Sequence, residues 1–164
     1  MSDRIKIILA VLFLIAALTL PLVGFAVGWN KWDIQGGLVV MLVTFVLLFL
    51  AGGFILFSVK DLTWLTIFLP FLSGSIYSFI PDFIPFSVDD ATVTTLGGLI
   101  SFALAIRKDR NTPKWILLPL LGAGIYTFFG GTIPGGLDEI IIDAAALLIA
   151  GIGARKSLIE GIEE

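Results

Sequence analysis

Five acidic residues have the types and spacing to do chemistry: Asp89, Asp90, Asp138, Glu139 and Asp143. The first four form two pairs, each falling where an apolar helical stretch begins. Carboxylates in that position accept the free amide hydrogens of a first helical turn and suit its positive end. The same oxygens could form an entry site for a proton or for a hard cation such as Ca²⁺ or Mg²⁺. No spaced calcium-loop motif accompanies them, so no metal is assigned. Asp143 is the most pointed of the five. It follows Glu139 by four residues and shares its helix face. It also lies about one turn inside an apolar stretch, where an ionisable group is costly and by default marks a functional site. The plainer reading places it at headgroup depth, in reach of water.

Other chemistries lack their parts. The chain has no histidine and no cysteine, which removes the commonest general base and any thiol nucleophile or Cys-ligated metal. No HExxH, no phosphate-cradling glycine loop and no Ser/His/Asp set is present. The expectation is therefore a protein that is not an enzyme and has no cofactor. A net charge of −3 gives no basic footprint for nucleic acid. Two glycine pairs, Gly130–Gly131 and Gly135–Gly136, flank Thr132–Pro134; with no basic residue in the loop, a tight turn is preferred to an anion-binding nest.

The elements that must position these acids follow from composition. The 164 residues are 58% hydrophobic and 14% charged, with a mean hydropathy of +1.08. A soluble domain carries about 25% charged residues, so the bilayer is the expected solvent. Charges and turn residues divide the chain into six apolar segments, roughly 5–29, 36–58, 62–80, 90–106, 114–129 and 139–154. The first run continues to about Trp29, longer than a signal-peptide core of about 7–15 residues, and is read as a retained first membrane helix. The basic residues assign the sides. Arg4, Lys6, Lys60, Arg107, Lys108, Arg110, Lys114, Arg155 and Lys156 alternate along the chain with acidic connections around Asp33, Asp82 and Asp138. Both termini are then cytoplasmic, in a multi-pass protein of the plasma membrane. Trp29, Trp32, Trp64 and Trp115, with Tyr77 and Tyr126, fall near helix ends and fit an interfacial aromatic belt.

Pro21, Pro70 and Pro119 recur at intervals of 49 residues, each inside an apolar segment. The same shift sets Ile76–Tyr77 on Ile125–Tyr126, Ile84–Pro85 on Ile133–Pro134, Asp89–Asp90 on Asp138–Glu139 and Arg107 on Lys156. It also superposes two ladders of small residues, Gly97, Ser101 and Ala105 on Ala146, Ala150 and Ala154. Such ladders let membrane helices approach closely. The first hairpin keeps Leu20–Pro21 and a following small residue, Gly24, but lacks the Ile-Pro loop and the acidic pair. The expected fold is an all-α membrane protein of six transmembrane helices in three tandem hairpins, at about 5–58, 62–108 and 112–157. Together they form a single integral membrane domain over residues 1–164 with a pseudo-threefold arrangement. The three prolines are expected to kink the odd-numbered helices.

The stretch IYSFIPDFIPFSVDD at 76–90 resembles the YkvA-like family of uncharacterised small membrane proteins. The matching residues are Tyr77, Ile80, Pro81, Asp82, Phe83, Ile84, Pro85, Asp89 and Asp90. The family's earlier Pro-x-Asp element is missing and the spacer before the paired aspartates is shorter. The resemblance implies a tight or re-entrant Ile-Pro loop between membrane helices, and no activity.

Two functional classes follow. A non-catalytic accessory or structural subunit fits the short loops and small-residue faces; its partners are the lipid bilayer and a larger membrane-protein complex or further copies of itself. A small cation or proton channel or transporter fits the acids and the internal repeat. The first hairpin offers a channel little polar lining, only Thr19 and Thr44 well inside its spans and Ser58 at an edge.

Overall fold

The computed structural model describes residues 1–77, 88–129 and 137–160; within these, the side chains of 88, 89, 137 and 156–160 are not described. The Ile-Pro connections and the glycine-rich loop therefore lie outside the described residues. Six α-helices account for the six apolar segments: α1 (Asp3–Lys31), α2 (Ile34–Phe57), α3 (Trp64–Tyr77), α4 (Val88–Lys108), α5 (Leu117–Phe128) and α6 (Leu137–Glu160). A 3-10 turn, Lys114–Ile116, leads into α5. No strand occurs among the described residues. Two of the helices, α1 and α2, are long and apolar enough to cross a membrane. The chain forms two compact units, Met1–Asp61 and Leu62–Glu164.

Unit 1 is the hairpin α1–α2. Its turn is fixed by Asp33, whose carboxylate accepts the Gly36 amide at 2.7 Å and so caps α2. The buried stripe of α1 is Ala10, Leu14, Ala17, Pro21, Phe25 and Gly28, each step three or four residues. That is the spacing of a seam between two nearly antiparallel helices. Close approach is reached where Gly28 meets Gly37: a Cβ added at Gly28 would lie 2.8 Å from the Gly37 Cα. Phe45 and Phe49, stacked at 5.3 Å, fill the middle. At the open end the carboxylate of Asp3 accepts the amides of Lys60 and Asp61 at 2.9 and 3.0 Å. Lys6 donates to the Ser58 carbonyl at 2.6 Å and pairs with Asp3 at 3.5 Å. The two amides, that of Asp61 foremost, and the nearby Lys6 ammonium hold the Asp3 carboxyl below its ordinary range.

Unit 2 is a ring of four helices in which α3 packs on α4, α4 on α5, α5 on α6 and α6 on α3. Its start is a reciprocal threonine cap. The Thr66 amide donates to Thr63 Oγ1 at 3.3 Å, and the Thr63 amide to Thr66 Oγ1 at 2.9 Å. The connection from α4 to the 3-10 turn is tied down by Thr112 Oγ1, which donates to the Ala105 carbonyl at 3.1 Å. Lys108 donates to the Leu62 carbonyl and lies 5.7 Å from the Trp64 ring centre.

The prolines divide into two kinds. Pro21 and Pro70 are interior to α1 and α3 and buried. Pro119 is the third residue of α5, in the first turn, where the missing N–H would have had no helical partner anyway. The same phase in sequence therefore places proline in a helix interior at two sites and in a first turn at the third. At Pro70 the small ladder of α4 is the complement. A Cβ on Gly97 would lie 2.5 Å from the Pro70 carbonyl oxygen, and the Phe71 amide donates to Ser101 Oγ at 3.1 Å. Ala105 is fully buried further along. On α6, Ala146, Ala150 and Ala154 are likewise buried.

Candidate functional site

The acids cluster at the N-terminal ends of α4 and α6, and burial separates them. Asp90, in the first turn of α4, is 4% exposed; Asp89 precedes it, with its side chain outside the described residues. Asp138, second in α6, is buried, and Glu139 is half-buried. The Tyr126 hydroxyl of α5 donates to Asp138 Oδ2 at 2.8 Å. This bond explains why Tyr126 sits where it does better than interfacial anchoring alone. Tyr77 is also buried, whereas Trp29, Trp32 and Trp115 are about half exposed or more and Trp64 is intermediate.

Asp143 is 4% exposed, one turn deeper in α6 than Glu139, whose charge acts on it. The Ser75 hydroxyl of α3 is its hydrogen-bonding neighbour, and its Oδ1 is buried without a partner. The alignment of hairpins points to Thr94, Thr95, Tyr77 and Tyr126 as companions for Asp143. It cannot select Ser75, because 49 residues on from Ser75 stands Gly124. Ser73, also buried and with no partner for its Oγ, escapes the same reasoning. The available signal is local: two serines, three and five residues after Pro70, in a largely apolar helix.

Among the described residues, no three Asp or Glu side chains converge as a metal-binding group. The acids are thus distributed singly or in pairs, each with a helix terminus or a hydroxyl nearby. An open groove of about 360 Å³ runs between α4 and α5. Thr92, Thr95, Gly124 and Phe128 are among its lining residues, and among the described residues no charged side chain lines it. Comparison with protein-family models, curated proteins and solved structures returned no match to this chain.

Proposed function

We propose that the chain is a six-span protein of the plasma membrane, built of three tandem hairpins with both termini cytoplasmic. We further propose that it has no catalytic activity and serves as an accessory or structural subunit of a larger membrane complex. One observation carries the membrane reading beyond α1 and α2. Unit 2 buries polar side chains, among them Thr94, Ser101 and Thr127, while Leu65, Leu118, Phe129, Ile141, Leu148 and Ile152 are each at least 65% exposed. Water as solvent would favour the reverse; lipid does not. At 14 and 12 residues, α3 and α5 are short for a hydrocarbon core of about 30 Å. The reading therefore assigns flanking residues of 62–80 and 114–129 to those spans. The helix pairing of unit 2 supports a repeat of its two hairpins, since a 49-residue shift carries α3 and α4, with the contact between them, onto α5 and α6. The likeness of 76–90 to the YkvA-like family adds a tight Ile-Pro loop and no activity.

Sidedness is directly testable because the chain has no native cysteine. Asn30→Cys should label from outside intact cells and Arg110→Cys only after permeabilisation; labelling of both from one side would sink the topology. Purification in mild detergent with mass analysis tests the subunit role. A stoichiometric larger partner is expected, and elution of the chain alone would count against it.

A small proton or cation carrier is the second reading, favoured by the burial of Asp143 with one oxygen unpartnered. In proteoliposomes Asp143→Asn should then abolish flux; equal flux in both proteins would remove this reading.

A further inference from the structure

We propose that the end of unit 2 around the α4–α5 link is a docking surface for anionic phospholipid headgroups, with Arg110, Lys114 and Arg155 as its phosphate-binding cations. This rests on the reading of unit 2 as membrane-spanning. The chain scatters these residues, and the fold collects them. The link turns back on the end of α4: the Thr112 amide donates to the Asp109 carbonyl and its hydroxyl to the Ala105 carbonyl, each at 3.1 Å. Arg110 is thereby held at the end of α4 that carries Arg107 and Lys108. Lys114 opens the 3-10 turn, and its neighbour Trp115 covers α6, where a Cβ on Gly153 would lie 2.5 Å from the indole ring. Arg155 follows Gly153 by two residues. Arg107, Lys108, Arg110, Lys114 and Arg155 are all exposed.

Charge at this end is one-sided. Between Leu104 and Ile116 the only acid is Asp109, whose Oδ1 accepts the Asn111 amide at 2.9 Å. On α6 no acid stands between Asp143 and Glu160. Helix ends account for part of the pattern, since cations in the last turn of α4 suit its negative end. Lys114 does not fit that account: it precedes α5, at the end where a helix favours an anion. Lys108 is already engaged, with the Leu62 carbonyl and the Trp64 ring. The rim beside the cations is apolar. Leu118, four residues after Lys114, is 70% exposed, and Ile152, three before Arg155, is 69% exposed. An acidic protein segment arriving from water has no use for that border. A phospholipid does: its phosphate meets the cations, its acyl chains lie along Leu118 and Ile152, and Trp115 stands at headgroup level.

The test is a melting-temperature titration of the full-length protein in mild detergent, with phosphatidylglycerol and with phosphatidylcholine of the same acyl chains. Phosphatidylglycerol should raise the melting temperature at lower concentration, and added salt should remove the difference. Arg110→Gln, Lys114→Gln and Arg155→Gln should each weaken its apparent affinity about fivefold and together about a hundredfold, with phosphatidylcholine unaffected. Each protein is read against its own lipid-free melting temperature, so a destabilised variant does not mimic lost binding. Equal response to the two lipids in wild type, or an undiminished phosphatidylglycerol response in the triple variant, overturns the proposal. Stabilisation by polyglutamate and not by phosphatidylglycerol would assign the surface to an acidic protein segment and equally overturn it. Binding in detergent is indifferent to sidedness. Labelling of Arg110→Cys from outside would therefore reverse the topology and leave this site standing, whereas loss of the lipid response would remove the site alone.

Discussion

Units 1 and 2 bring helices together by different means. The seam of unit 1 is apolar, with Leu14, Phe25, Phe45 and Phe49 packed around the contact of Gly28 with Gly37. Hydrogen bonds to its charged groups are found at its two ends, at Asp33 and at Asp3 with Lys6. Unit 2 carries its polar groups inside: the described buried polar or charged side chains, from Thr66 to Asp143, all belong to it. Shape alone can specify a two-helix seam. A four-helix ring whose short helices carry Pro70 in the interior and Pro119 in the first turn must also satisfy backbone and side-chain groups away from water, and unit 2 places hydroxyls and carboxylates there.

That contrast is broken most severely at Gly97. In Gly97→Leu the added side chain would meet the backbone of Pro70 and Phe71, at 2.5 and 2.9 Å from its Cβ, where nothing can swing away. Overpacking of this kind costs about 1–3 kcal/mol and occasionally more, and the rigid backbone on the far side puts this case at the upper end. Chemical denaturation in detergent should register it. Hydrogen exchange should quicken in α3 and α4 and stay unchanged in α1 and α2; equal quickening of both units would refute the division. By contrast Gly122→Ala meets nothing within 4 Å and, inside α5, should stabilise by about 0.5–1 kcal/mol in the same assay.

Two smaller changes probe the polar interior. Tyr126→Phe removes the donor to the buried Asp138 carboxylate, and such bonds to charged groups are worth about 1.5–3 kcal/mol. A loss of melting temperature is expected, with faster exchange at the start of α6. Ser101→Ala leaves the Phe71 amide beside Pro70 without its acceptor, a cost of about 1–3 kcal/mol. The matched change on α6, Ala150→Gly, removes no hydrogen bond and should be milder by the same measure.

The smallest effect concerns the end of unit 1 and separates by pH. The folded Asp3 carboxyl titrates below its ordinary range, so the clasp adds stability above that range and loses it as pH falls through the lowered value. Wild type should therefore be more stable than Asp3→Asn near neutrality, with the gap closing in strong acid. A gap that widened on acidification would reverse the assigned sign.

Much of this organisation is written locally. Six apolar runs interrupted by charges and turn residues became six helices whose boundaries fall within a few residues of the expected ones for α1 and α2 and for the middle of the rest. The acids at 89–90 and 138–139 were legible as residues of a helix start because capping is a property of the first turn itself. Pro119 shares the phase of Pro70 but stands in a first turn, because a proline's position in a helix depends on where the helix begins rather than on the interval.

The amino-acid sequence by itself determined the helical segments, their apolar character, the small-residue ladders and the positions of the acids, because each depends on residues a few places apart. Only the tertiary structure decided that α3 meets α6, that Ser101 receives the Phe71 amide and that Ser75 stands beside Asp143. Those pairings join residues 30 and 68 positions apart, on helices apolar over most of their circumference. With so little amphipathic contrast, no periodicity marks the inward face; the closing of the ring selects it.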